Sequence, residues 1–411
     1  MNTHKKFLKK FNCKHILCFL FLAYIVIVGM AAIPELAWNT GNCLFWQTGP
    51  FHWMDTVDEQ YEGMLNTEKD TPALQNKGSY INMNGAMARF LKQPMMNNRI
   101  LMKNGHLTSV VSEPADPAII QQAAENLTLF HKKQLERGKN FLFVLAPSQI
   151  SKYESLLPAG YTDTTNETAD QLLAMLNETG VPYLDLRQSL EADGISTTDA
   201  FFKTDHHWLP QTGFWAYTKI LDKLDRMGAI QAPDSRYTDS RQFTFETYKN
   251  TFLGSWGKRT GIYYAGVDDT VFIKPDFHTE ISISIPTRDL SLTGPYEEIA
   301  YNTEAQHNLE DPDYFQENMY ALYGWGDTAL TMWRNSQAPV DKKMLLIGES
   351  FGNIPFSLMS IACTSCDEID LRYYEDNFTA YYEKYAPDMV IILTNLDMCL
   401  SDFTTYPYFQ N

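Results

Sequence analysis

The chain has 411 residues, 44% of them hydrophobic and 20% charged, which is enough apolar material for one large domain or two to three ordinary ones. Its formal net charge is −17, and once the five lysines of the N-terminal flank are set aside, 28 basic residues face 50 acidic ones. A surface of that sign repels phosphate backbones and anionic headgroups, which argues against nucleic-acid binding and against peripheral docking on lipid.

Those lysines (Lys5, Lys6, Lys9, Lys10, Lys14) precede Ile16–Ile33, an uncharged and almost wholly apolar run of 18 residues closed by Pro34. Such a run is at the lower bound for crossing roughly 30 Å of hydrocarbon. The flanking lysines place the N-terminus in the cytoplasm and everything after Pro34 outside. The favoured reading of residues 1–34 is an uncleaved single-pass anchor. A cleaved signal peptide is the competing one, because Gly29-Met30-Ala31 supplies small residues at a cleavage position. Under the first the protein stays at the cell membrane, and under the second it is secreted.

Residues 35–115 have weak periodicity and read as an N-terminal stalk or cap, with a hairpin over Arg99–Leu107 turned by Asn104-Gly105. From Asp116 the texture becomes strand–helix alternation. Asp116-Pro117 opens a helix that Gly138 ends, Phe141–Ala146 is a continuous apolar strand, and a helix over 166–179 leads to a strand at Val181–Leu186. Pro210 opens a further helix that runs to Gly228. Residues 229–340 break the rhythm with β-like stretches, Gly/Trp pairs and acidic loops, and read as a β-containing insertion over the site or a subdomain. Alternation resumes over 341–411, with strands expected at Lys343–Ile347, Ile369–Tyr373 and Met389–Leu393, and helices from about Asn353 and over Asn377–Tyr385. The expected class is α/β, a doubly wound parallel sheet.

Cys363-Thr-Ser-Cys366 has the spacing of a redox or zinc half-site, but no second Cys pair or His pair completes a metal site. A local disulfide or buried thiols are expected, with neither metal nor cofactor.

Two constellations carry chemistry. In Thr204-Asp205-His206-His207-Trp208-Leu209-Pro210, a carboxylate two residues from an imidazole can hold one ring nitrogen and leave the other free as a general base. His206 is expected to point elsewhere, and a purely structural role or a metal site stays open on spacing alone. In Leu346-Ile347-Gly348-Glu349-Ser350-Phe351-Gly352, an apolar strand runs into a Gly-flanked serine ahead of a helix. That arrangement suits a nucleophile with an oxyanion-binding helix start, although a serine there is also a common helix cap.

Together these residues resemble the bacterial DHHW proteins, which are SGNH/GDSL hydrolase-like and similar to the alginate O-acetylation proteins. Asp205-His206-His207-Trp208 is the namesake motif, and Phe143–Ser148, Leu346–Phe351, Ile369–Tyr373 and Pro387–Ile391 resemble further segments of that family. The resemblance covers roughly residues 115–228 and 340–395. It implies a Ser350–His207–Asp205 triad that transfers O-acetyl groups to an exported polysaccharide or cell-wall glycan. It also implies a membrane-bound O-acyltransferase as the partner that passes acyl groups across the bilayer. A glycan O-acetylesterase with the same triad, and a non-catalytic glycan-binding or assembly protein, are the alternatives. Glu349 stands where many relatives have Asp or Thr and is expected to matter little. Candidate substrate or oxyanion contacts are His206, Trp208, Gly254, Gly324 and Asn395. The aromatics Trp208, Trp215, Tyr263, Tyr264 and Trp325 are candidate sugar platforms, with core roles as the commoner alternative.

Overall fold

A computed structural model of the chain describes residues 21–23, 26, 77–302 and 309–405. It separates into two compact units, Met1–Met83 and Asn84–Asn411. Apart from the helical residues Phe21–Ala23 and Val26, the expected anchor and its lysine flank lie outside the described residues, as does the stalk up to residue 76. Among the described residues, no helix is long and apolar enough to cross a membrane.

Helix α1 (Lys77–Phe90) is followed by a small antiparallel sheet of β1 (Met95–Met96), β2 (Arg99–Leu101) and β3 (Leu107–Thr108). The hairpin between β2 and β3 forms as the sequence predicts, but only Gly105, at φ 87°, carries a positive angle in its turn. Next come α2 (Pro117–Glu136), β4 (Asn140–Leu145), α3 (Thr165–Glu178), β5 (Tyr183–Asp185) and α4 (Pro210–Arg226). Asp116 caps α2 by accepting from Ala118 N–H, with Pro117 in the first turn.

The central region, 229–340, contributes a two-stranded ribbon of β6 (Phe243–Phe252) and β7 (Asp268–Pro275), then β8 (Ile281–Ile285), β9 (Leu290–Gly294) and β10 (Leu330–Arg334). The chain closes with β11 (Val340–Gly348), α5 (Asn353–Ala362), β12 (Cys363–Ile369), α6 (Phe378–Tyr385), β13 (Met389–Thr394) and α7 (Leu396–Thr405).

The main sheet has eight strands in the order β5-β4-β13-β11-β12-β10-β8-β9. The first five are mutually parallel, and β10, β8 and β9 extend the sheet antiparallel. The expectation of a purely parallel sheet is corrected on this point. From 229–340, strands β8, β9 and β10 are woven into the sheet's edge, where the alternating Ile281-Ser-Ile-Ser-Ile285 buries every second side chain against the shared core.

Alternation also explains why the parallel strands are apolar throughout. Leu142, Val144, Leu346, Ile391 and Leu393 face one core with Phe214, Tyr217, Ile220 and Leu224 of α4. Phe141, Phe143, Leu145, Leu345, Ile347, Val390 and Ile392 face the other, with Leu127 and Phe130 of α2 and Leu172 and Leu176 of α3. Each such side chain contributes about 1.5–3 kcal/mol on burial, so a strand covered on both sides cannot afford the polar face of an exposed one.

The strand expected at Ile369–Tyr373 instead occupies Cys363–Ile369. Asp370 turns the chain there, accepting from Arg372 N–H and its guanidinium. Cys363 and Cys366 lie in β12 as buried free thiols, the second of the two states expected for them.

Candidate active site

Strand β11, with parallel neighbours on both sides, delivers the serine. It ends at Gly348, Ser350 opens a tight turn over Ser350–Gly352, and α5 begins at Asn353. Gly348 is required by crowding: a Cβ there would come within 2.7 Å of the Phe356 ring and 2.9 Å of Leu393 O. The turn is capped by Glu349, whose carboxyl accepts from Phe351 N–H at 3.1 Å.

The second constellation sits on a tight loop. A bridge between Phe201 and Trp208 closes the loop. Gln149 Nε2 donates to Phe202 O (2.7 Å) and Asp205 O (2.5 Å). Asp268 accepts from Lys203 N–H, Thr204 N–H and the Thr204 hydroxyl. Asp205 Oδ1 then accepts from His207 N–H at 3.1 Å, so the carboxylate caps the amide two residues on.

The two constellations, 143 positions apart, meet. His207 Nδ1 lies 2.5 Å from Asp205 Oδ1, and His207 Nε2 lies 2.7 Å from Ser350 Oγ. All three residues are buried. Asp205 Oδ2 accepts from Ser255 N–H at 2.6 Å. Burial alone would push the Asp205 carboxyl up, but the His207 charge and hydrogen bond, with His206 and Ser255 N–H, hold it well below the usual carboxylate range. The group facing the imidazole is therefore a carboxylate. Ligand-type atoms of Asp205, His206 and His207 lie within 4.8 Å of one another, but both carboxylate oxygens are already committed to the bonds just described.

His206 does not point away. Its ring centre lies 3.8 Å from that of His207, and its Nδ1 is 3.3 Å from both Asp205 Oδ1 and Ser255 Oγ. Burial, then the neighbouring His207, holds its pKa down at about 4.

Two cavities border this histidine. One, about 440 Å³, is lined by His206, His207, Tyr320, Ser350, Asn353 and Arg372. The other, about 420 Å³, reaches His206, Trp256, Phe351 and Asn395.

The remaining candidates are placed differently from expectation. Trp208 is fully buried, its ring edge-on to Phe351, so it is core and not a sugar platform. Gly254 lies behind Asp205, where a Cβ would fall 2.3 Å from the Asp205 Cβ; it shapes the loop and does not face Ser350. Gly324 donates its N–H to Ala300 O. Asn395 gives its backbone N–H and one Nδ2 hydrogen to Glu349 Oε1, at 3.1 and 3.3 Å. Tyr264 is buried and Trp215 is tied to Asp193, whereas Tyr263 is exposed and Trp325 borders the cavity of Ser350.

Sequence reasoning missed Tyr320. Its ring stacks on His207 at 3.8 Å and 10°, and its hydroxyl donates to Ser350 O at 3.1 Å. No local pattern marks it. Asn353 was findable, because a residue three beyond the serine in an emerging helix returns to the same side.

Residues 107–253 match the family described as SGNH hydrolase-like domain, acetyltransferase AlgX. That stretch is similar to an SGNH hydrolase-like acetyltransferase domain. The family match includes Asp205 and His207 and ends before Ser350. Among solved structures, the chain is similar to Bacillus cereus PatB1 with a sulfonyl adduct, at TM-score 0.62 and 20% identity, over 76% of this chain and 99% of that one. It is also similar to a DHHW family protein from Eubacterium siraeum, at TM-score 0.54 and 14% identity, over 74% and 93% of the two chains. At these identities the likeness is one of fold. No curated protein matches in sequence.

Proposed function

We propose that the protein is an O-acetyltransferase that acts outside the membrane on an exported polysaccharide or cell-wall glycan, with Ser350 as nucleophile, His207 as general base and Asp205 as its orienting carboxylate. The observation that carries this reading is the single imidazole held between Asp205 and Ser350 at 2.5 and 2.7 Å. The SGNH acetyltransferase family match supports the acyl chemistry.

Ser350 Oγ attacks the acetyl carbonyl carbon of a donor ester while His207 Nε2 takes the hydroxyl proton. The tetrahedral intermediate collapses, and the donor alcohol leaves with the proton from His207. A sugar hydroxyl then attacks the acetyl-Ser350 ester, giving its proton to His207, and Ser350 is released with that proton. The Ser350 N–H, at the head of its turn where first-turn amides lack intrahelical partners, and Asn353 in the same cavity are the donors at hand for the oxyanion. The imidazolium formed at each step is offset by the Asp205 carboxylate.

The lysine flank and apolar run of residues 1–34 support tethering at the outer face of the membrane, where a membrane-bound O-acyltransferase would hand over the acetyl group. The test uses the full chain in detergent with an acetyl ester, with and without an oligosaccharide acceptor. Acetyl transfer to the acceptor that disappears in Ser350→Ala is expected. Hydrolysis indifferent to the acceptor would make the protein an esterase, and unchanged acetylation in Ser350→Ala would leave a non-catalytic role.

A further inference from the structure

Ser350 Oγ has two acceptors in reach. His207 Nε2 lies 2.7 Å away and Glu349 Oε2 lies 3.1 Å away. The hydroxyl has one proton, so it serves one of them at a time.

Glu349 is fixed in this position. Its Oε2 also accepts from Phe351 N–H at 3.1 Å, and its Oε1 accepts from Asn395 N–H at 3.1 Å and from Asn395 Nδ2 at 3.3 Å. The side chain is buried. As a carboxylate it would oppose acyl transfer twice over. It would draw the serine proton away from His207, and it would set a negative charge against oxygens that become anionic in the transition state. As a neutral acid it does the reverse, because its O–H donates to Ser350 Oγ and the serine proton is left for His207. The second lone pair of Oε2 keeps the Phe351 bond.

On the Ser350–His207–Asp205 reading above, we infer that Glu349 is a positioning residue that works as the neutral acid: its O–H donates to Ser350 Oγ and turns the serine proton to His207, and its ionisation turns that proton away. The surroundings agree. Burial pushes the Glu349 carboxyl up, more than the His207 charge and the Phe351 and Asn395 N–H groups pull it down. The Tyr320 phenol and, behind His207, the Asp205 carboxylate face the same region. Arg372, the nearest fixed cation, is already paired with Asp370 and Asp327.

The experiment measures kcat for acetyl-ester hydrolysis against pH in the full-length wild type and in Glu349→Gln, with folding checked by circular dichroism. Glutamine can donate a hydrogen bond but cannot ionise. The wild type is expected to lose about tenfold in kcat per pH unit beyond an alkaline limb, and Glu349→Gln is expected to keep the acid limb and lack the alkaline one. An alkaline limb at the same pH in both proteins overturns the inference. Should the glutamine variant fail to fold, the carboxyl carbon shift of Glu349 in the wild type, assigned against Glu349→Asp, is titrated by NMR. A midpoint on the alkaline limb supports the role, and a carboxylate already ionised where kcat is maximal overturns it. Ser350→Ala separates the two levels. Hydrolysis at the wild-type rate in that variant sinks the serine reading itself, whereas an inactive Ser350→Ala with an unmoved limb sinks only the role of Glu349.

Discussion

The two stretches that meet at the site are held in different ways. The turn that carries Ser350 is assembled largely from its own neighbours: β11 delivers it, Glu349 caps it, and Gly348 lets Phe356 of the following helix pack against it. The loop carrying Asp205 and His207 is clamped from a distance, by Gln149, Gly254, Ser255 and Asp268, which stand 50 to 65 positions away. A serine on such a turn is a local property of the sequence. The aim of its base is a tertiary one, and it is the part that substitutions far from the chemistry can spoil.

The sharpest way to break that contrast is at the junction of loop and base. Asp205→Asn removes the charge while keeping the size, and an imidazole aligned by a carboxylate loses its tautomer and its stabilised cation. A fall of roughly 10³–10⁴ in kcat for acetyl-ester hydrolysis is expected, with KM little changed. A fall below tenfold would mean that the loop, and not the carboxylate, aligns the ring.

A smaller effect, on stability, is expected from the distant clamp. Asp268→Ala leaves three donors of the loop (Lys203 N–H, Thr204 N–H and the Thr204 hydroxyl) without their acceptor. At about 1–3 kcal/mol for a buried group left unsatisfied, and with water able to reach part of the gap, a loss of about 2–5 kcal/mol in urea unfolding is expected. A loss under 1 kcal/mol would show that the bridge from Phe201 to Trp208 holds the loop without the clamp.

The smallest effect lies beside the nucleophile strand. Glu368, on β12 next to β11, has Oε2 buried without a partner among the described residues. Burial, then the charges of Asp370 and Asp327, raises its pKa to about 8. The folded state therefore keeps a proton that the unfolded chain gives up near 4.5, so this residue costs stability as pH rises between those values. Glu368→Gln is expected to raise Tm by a few degrees at pH 8, at about 2–4 °C per kcal/mol, and to leave it unchanged at pH 4. Equal Tm values at pH 8 would show the strand indifferent to that charge.

Much of the parallel half of the fold was legible because its chemistry is local. Phe141–Leu145 and Met389–Leu393 are buried on both faces and read as strands by composition alone, and Asp116-Pro117 marks its helix start. Strand β12 was misplaced because two of its polar residues, Ser365 and Asp367, are buried with partners. Asp367 bonds Arg334 and Tyr381, and the strand lies between β11 and β10, so a sequence rich in Ser, Thr, Asp and Glu still forms a core strand. The antiparallel strands of 229–340 joined the main sheet through pairings that no short window contains. At the site, Ser350, His207 and Asp205 were nameable from spacing and resemblance. Tyr320 and Asp268 were not, because a stacked phenol and a remote carboxylate leave no local pattern. Glu349 was visible as a motif residue, but only the fold shows its carboxyl turned back onto the serine.

The most direct test of the acyl-transfer account is to mix the full-length protein with an activated acetyl ester, quench it rapidly in acid and locate any acetyl group by peptide mass spectrometry. One acetyl group on Ser350, lost in His207→Ala, is the expected result. An unmodified Ser350 while the ester is turned over, or an acetyl group carried on another residue, would contradict it.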